Sequence, residues 1–122
     1  MDGNGTLTRL NGEVYKGAFN NGKMSGEGIL TYLDGAVYNG SFKDGEFDGE
    51  GTFTFPDGEI YMGTYKYGER NGRGVNTFPD GEIYTGIFKN DEKNGEGVLI
   101  LSNGVVYSGI FKDGKYISES LE

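Results

Sequence analysis

The chain has 122 residues, of which 24 are glycine, nine tyrosine, eight phenylalanine and two proline, with a formal net charge of −8. Glycine far above its usual level of about 7% without a Gly-X-Y period excludes collagen, and the wealth of aromatics argues against disorder. No cysteine or histidine is present, which removes disulfides, thiolate chemistry and the commonest catalytic base.

Read in chain order, one pattern recurs every 23 residues. Tyr15, Tyr38, Tyr61, Tyr84 and Tyr107 open the units; Gly17, Gly40, Gly63, Gly86 and Gly109 follow two positions later. Phe19, Phe42, Tyr65, Phe88 and Phe111 come two positions after that. Each unit continues into a glycine pair: Gly26/Gly28, Gly49/Gly51, Gly72/Gly74 and Gly95/Gly97. The whole chain, 1–122, is therefore one repeat array. A partial copy at 1–14 leads into full copies at 15–37, 38–60, 61–83 and 84–106. A partial copy at 107–116 and a tail at 117–122 follow, and Leu121-Glu122 carries no weight in the fold.

The apolar period inside each unit is two, so each unit predicts two short strands rather than a helix. Tyr15, Gly17 and Phe19 share one face with Gly28, Leu30 and Tyr32 of the second strand. Val14, Lys16 and Ala18 take the other face. On this reading Tyr32, Phe55 and Phe78 are second-strand residues. Asp34-Gly35, Asp57-Gly58, Asp80-Gly81 and Asn103-Gly104 supply turns at one edge. Asn21-Gly22, Asp44-Gly45 and Asp113-Gly114 supply turns at the other, where Asp91 replaces glycine in one copy. Asp tolerates the left-handed backbone region better than most residues. The glycines phase-locked to the rings are read as structural. A missing Cβ lets a neighbouring ring lie across the backbone, and Gly26 and Gly28 are both candidates for bends or bulges.

The core Tyr-x-Gly-x-Phe/Tyr followed by Gly-x-x-x-Gly-x-Gly, as in YNGSFKDGEFDGEG and YMGTYKYGERNGRG, resembles the MORN family (membrane occupation and recognition nexus) over nearly the whole chain. The resemblance implies an all-β fold, an elongated, twisted, single-layer antiparallel sheet of tandem β-hairpins. It also implies a scaffolding or protein-binding role, with self-association in some members and lipid association attributed to others. It supplies no catalytic residue. Asp91 at a glycine position and Leu101 at an aromatic position depart from the pattern.

No constellation points to an enzyme: triads and Cys-His pairs are excluded, and no phosphate-loop fingerprint occurs. Asp44, Glu46, Asp48 and Glu50 form the densest acidic cluster and read as a solvated elbow. No metal site or cofactor is expected. The expected partner surface is the aromatic track of Tyr15, Phe19, Tyr32, Tyr38, Phe42, Phe55, Tyr61, Tyr65, Phe78, Tyr84, Phe88, Tyr107 and Phe111, because a single-layer sheet is not expected to seal both faces with its own side chains. Beside so many acids, that track suits a protein or peptide with apolar anchors and basic flanks, or another copy of the array. Nucleic acid is disfavoured by the charge. A less favoured reading gives the recurring Lys43, Lys66, Lys89 and Lys112 to an anionic lipid surface. With no signal peptide and no spanning segment, the expected location is intracellular, in the cytoplasm or at the cytoplasmic face of a membrane.

Overall fold

The computed structural model describes residues 2–119; Leu121-Glu122, set aside on sequence grounds, lies outside them. Eleven antiparallel strands follow one another in chain order through a single open sheet. They are β1 (Gly3–Thr8), β2 (Val14–Asn20), β3 (Lys23–Thr31), β4 (Val37–Lys43), β5 (Glu46–Thr54), β6 (Ile60–Lys66), β7 (Glu69–Thr77), β8 (Ile83–Lys89), β9 (Glu92–Ile100), β10 (Val106–Lys112) and β11 (Lys115–Ser118). At ~4.8 Å per strand step, β1 and β11 stand roughly 50 Å apart along the ribbon. No described helix is long and apolar enough to cross a membrane.

Turn chemistry sets the register at both edges. At one edge Asn21-Gly22, Asp44-Gly45, Tyr67-Gly68, Asn90-Asp91 and Asp113-Gly114 all have positive φ at both positions, the backbone of two-residue hairpins that follow the sheet twist. Asp91 holds φ 69° there in place of glycine. At the other edge the side-chain oxygens of Asp34, Asp57, Asp80 and Asn103 accept from the N–H two residues on. Tyr32, Phe55 and Phe78 belong to these turns. The strands end one residue earlier, and each ring residue donates its N–H to a carbonyl four positions on. Their assignment to second strands is corrected accordingly: the turn closes on them, so no ladder partner remains.

Register then aligns the glycines into one file. Gly5, Gly17, Gly28, Gly40, Gly51, Gly63, Gly74, Gly86, Gly97 and Gly109 pair in succession across ten strands. Beyond this file each unit slips register, between Gly17 and Phe19, Gly40 and Phe42, Gly63 and Tyr65, and Gly86 and Phe88. Two extra residues on the second strand absorb the slip around Gly26, Gly49, Gly72 or Gly95, which all have φ between 72° and 108°. Bulges of this kind bend a strand. The bend is large: Arg70 Nη1 lies 2.9 Å from Asn76 Oδ1, although six residues of straight strand span about 20 Å. Each strand thus closes its ring-bearing face upon itself, and a single layer becomes a trough with its core inside.

Candidate functional site

The rings fill that trough. Phe19, Tyr15, Phe42, Tyr38, Tyr65, Tyr61, Phe88, Tyr84 and Phe111 form an unbroken zigzag of edge-to-face contacts with centroids 5.0–5.3 Å apart. That geometry suits the ring quadrupoles. Tyr15, Tyr38, Tyr61 and Tyr84 are at most 1% exposed, and the other five rings at most 7%. Each of these four tyrosines donates its hydroxyl proton to a carbonyl three residues on, of Ala18, Ser41, Thr64 and Ile87 respectively. Burial pushes the hydroxyls of Tyr15, Tyr38, Tyr65 and Tyr84 upward and that of Tyr61 up to about 12, the last against the opposing pull of Arg70.

These nine rings are therefore core, which corrects the reading of the whole track as an exposed docking face. The expectation missed the bend: a flat sheet leaves both faces open, whereas a trough seals one. Tyr107, whose neighbour β11 is only four residues long, stays 39% exposed. Tyr32, Phe55 and Phe78 are half-buried along one rim.

The glycine assignments divide into two roles. At Gly63 an added Cβ would lie 2.6 Å from the Tyr61 hydroxyl and from the Arg73 carbonyl oxygen, and the equivalent Cβ at Gly28, Gly51, Gly74 and Gly97 would enter the tyrosine ring itself. These residues, with Gly17, Gly40 and Gly86, give the ring its seat. Gly26, Gly49, Gly72 and Gly95 occupy the bulges. At Gly109 an added Cβ would meet the backbone of Ser118 and Glu119 instead.

Lys43, Lys66 and Lys89 are exposed, and each stands directly across the hairpin from a glutamate, Glu46, Glu69 or Glu92. Opposite charges in that position offset one another. Only Lys112 faces another cation, Lys115. The row is not a one-sign edge.

On the sheet face away from the rings, a shallow groove of about 670 Å³ crosses the glycine file beneath Glu27, Glu50, Met62 and Arg73. Inside the trough, two further cavities open along the rim. The first, about 260 Å³, is lined by Met24, Leu30, Tyr32 and Phe47, with Glu46, Gly45, Gly68 and the ion-paired Arg9 and Glu13 at its margin. The second, about 320 Å³, is lined by Glu59, Arg70, Asn76, Phe78, Phe88, Asp91, Glu92, Lys93 and Gly114.

The second cavity holds a polar network at positions where the first is apolar. Asn76 is 2% exposed; its Oδ1 accepts from Arg70 Nη1 at 2.9 Å, and its Nδ2 donates to Glu59 Oε2 at 2.9 Å. Arg70 also donates through Nη2 to the Asp91 carbonyl at 2.6 Å and reaches Asp91 Oδ1 from Nε at 3.3 Å. Its guanidinium lies 5.1 Å from the Phe88 ring centre, and Lys93 lies 5.5 Å from that of Tyr84. Of the polar residues in this network, sequence reasoning singles out Asp91 alone. The signal lay in the repeat columns: Met24, Phe47, Arg70 and Lys93 occupy one register position, and Leu30, Phe53, Asn76 and Leu99 another.

A comparison with curated proteins found no match. The MORN repeat family matches four consecutive units, residues 15–37, 38–60, 61–83 and 84–106. Those boundaries coincide with the periods set by the tyrosines, and MORN repeats are in general modules of protein or membrane interaction. With four units spanning most of its length and every unit folded as a glycine-seated hairpin, the chain belongs to the MORN repeat family.

Proposed function

We propose that this array is a non-catalytic interaction scaffold that docks a protein segment along the rim of the trough. The carrying observation is the composition of that rim. Tyr32, Phe55 and Phe78 remain half-exposed there, one in each of the first three full units. The adjoining FPDGE turns at 55–59 and 78–82 add Asp57, Glu59, Asp80 and Glu82 with no cation among them. Half-exposed aromatics supply anchoring area with few rotors to immobilise, and the acids favour Lys or Arg beside the anchor. This keeps the partner chemistry expected from the sequence and moves the contact from the nine buried rings to three rim residues. The paired lysine–glutamate edge gives anionic lipid little to bind.

A phage-displayed random dodecapeptide library panned on the array tests the reading. Enrichment of sequences joining an apolar residue to Lys or Arg is expected, and binding should fall at least tenfold in Phe55→Ser/Phe78→Ser. Thermal melting should confirm that this variant still folds, and Glu82→Lys offers a milder change at the same rim. Failure to enrich peptides, or unchanged binding in both variants, overturns it. So does sedimentation with phosphatidylserine vesicles that persists while peptide binding is absent.

A further inference from the structure

A repeat array poses a problem for any ligand that lies along it. If every unit offers the same contacts, the ligand can shift by one unit, about 10 Å or two strand spacings, and lose only its end contacts. Specificity then requires units that differ where the ligand touches.

The two rim cavities differ in this way. They occupy equivalent positions two units apart, so every lining residue of the first except Arg9 has a counterpart 46 residues on that lines the second. Glu13 corresponds to Glu59, Tyr32 to Phe78, Glu46 to Glu92 and Gly68 to Gly114. Aromatic wall, two acids and turn glycine are thus retained. Four other positions change character: Met24 becomes Arg70, Leu30 becomes Asn76, Gly45 becomes Asp91 and Phe47 becomes Lys93. One cavity is apolar within, with Arg9 and Glu13 satisfying each other at 2.8 Å. The other holds three carboxylates, from Glu59, Asp91 and Glu92, against two cations. Both cations are already engaged, Arg70 with Asp91 and Asn76, and Lys93 over the Tyr84 ring. The remaining carboxylate oxygens and the half-exposed Phe78 ring suit an incoming Lys or Arg side chain.

We infer that this unlike pair of cavities fixes the register and direction of the bound segment, the first taking an apolar side chain and the second a cationic one. The inference rests on the rim reading above. Four strand spacings separate the cavities by about 19 Å. Six residues of extended chain cover about 20 Å and return to the same face. The segment is therefore extended, with a large apolar residue and a Lys or Arg six positions apart, the apolar one over Met24 and Phe47. Reversed, or shifted by two units, it would bring a charge to the apolar cavity or an apolar group to the acids; shifted by one unit, it would bring neither side chain to its cavity.

Panning the same dodecapeptide library on two arrays tests this. The first is the native chain. The second carries Arg70→Met, Asn76→Leu, Asp91→Gly and Lys93→Phe, which copy the first cavity's residues into the second. The native array should enrich apolar and cationic residues at a spacing of six. The converted array should enrich two apolar residues at that spacing and bind the native-selected peptide at least tenfold more weakly. Should the converted array not fold by circular dichroism, Glu92→Lys alters only an exposed side chain and should weaken the same peptide at least fivefold. Peptides that bind at the rim but lose nothing when their Lys or Arg becomes Gln would overturn this inference and leave the rim reading standing. A library that yields no binders overturns both.

Discussion

At the scale of single residues, the tyrosine–glycine pair is the unit of construction. A Cβ at Gly63 has no open direction, meeting the Tyr61 hydroxyl, the Arg73 carbonyl and the Gly74 backbone within 2.6 Å. Gly63→Ala should therefore cost about 3 kcal/mol, at the upper end of overpacking effects, while Lys66→Ala on the exposed surface should stay within about 0.5 kcal/mol. Urea titration of the two variants checks the contrast. The buried hydroxyls also make the fold sensitive to alkali. An unfolded tyrosine loses its proton near pH 10, whereas Tyr61 in the trough keeps it to about pH 12. The stability associated with the protonated form is complete below pH 10 and drains away as pH climbs toward 12. Thermal melts between pH 9 and 12 should show the fall, and Tyr61→Phe should reduce its size, leaving the part due to Tyr15, Tyr38, Tyr65 and Tyr84.

At the scale of the hairpin, the same turn is built from different residues, and the differences carry measurable cost. Tyr67 adopts φ 52° where the other units use Asn or Asp, and 71% of it is exposed. A left-handed conformation costs an ordinary residue about 1–2 kcal/mol, so Tyr67→Asn should raise stability by about 1 kcal/mol in chemical denaturation. The network that starts on β7, just past this turn, behaves oppositely. Arg70→Ala deprives buried Asn76 of a donor and should cost about 2 kcal/mol. Lys93→Ala, which removes a half-buried amine above a ring, should cost about 1 kcal/mol or less.

Hairpins are also where the legibility of the sequence changes. The strands, their faces and both turn sets follow from alternation and from Asp-Gly and Asn-Gly pairs, and the seat for each ring follows from the phase of glycine against tyrosine. The depth of the bend does not. Period-two patterning assigns Tyr15 and Phe19 to one face but is silent on whether that face lies flat or closes, which depends on two extra residues around Gly26. Alternation alone therefore leaves the rings exposed, whereas the bend buries them. Parity continues through Tyr32, Phe55 and Phe78 and so extends the strands over them, although their N–H groups turn back to close a loop. Arg70 and Asn76 were readable in principle as exceptions within their repeat columns, but a polar residue in an apolar column gains meaning only once the trough brings positions 70 and 76 together.

At the scale of the whole molecule, each unit packs on its immediate neighbours, and stability should grow with the number of units. Duplicating residues 61–83 in tandem should lengthen the particle by about 10 Å, readable by small-angle X-ray scattering, and raise the melting temperature. An insertion of one residue between Tyr61 and Tyr65 in β6 should instead be severely destabilising, since it puts the two rings of that strand on opposite faces.

The order of the strands, each bonded to the one before, has a mechanical consequence. A pull on β1 against β11 acts along the interstrand hydrogen bonds, so rungs break one after another at low force instead of resisting in concert. Every 23 residues released would pay out roughly 80 Å of slack. Held between two anchors, such a ribbon would serve as a yielding link, lengthening in steps under load and zipping back when the load is withdrawn.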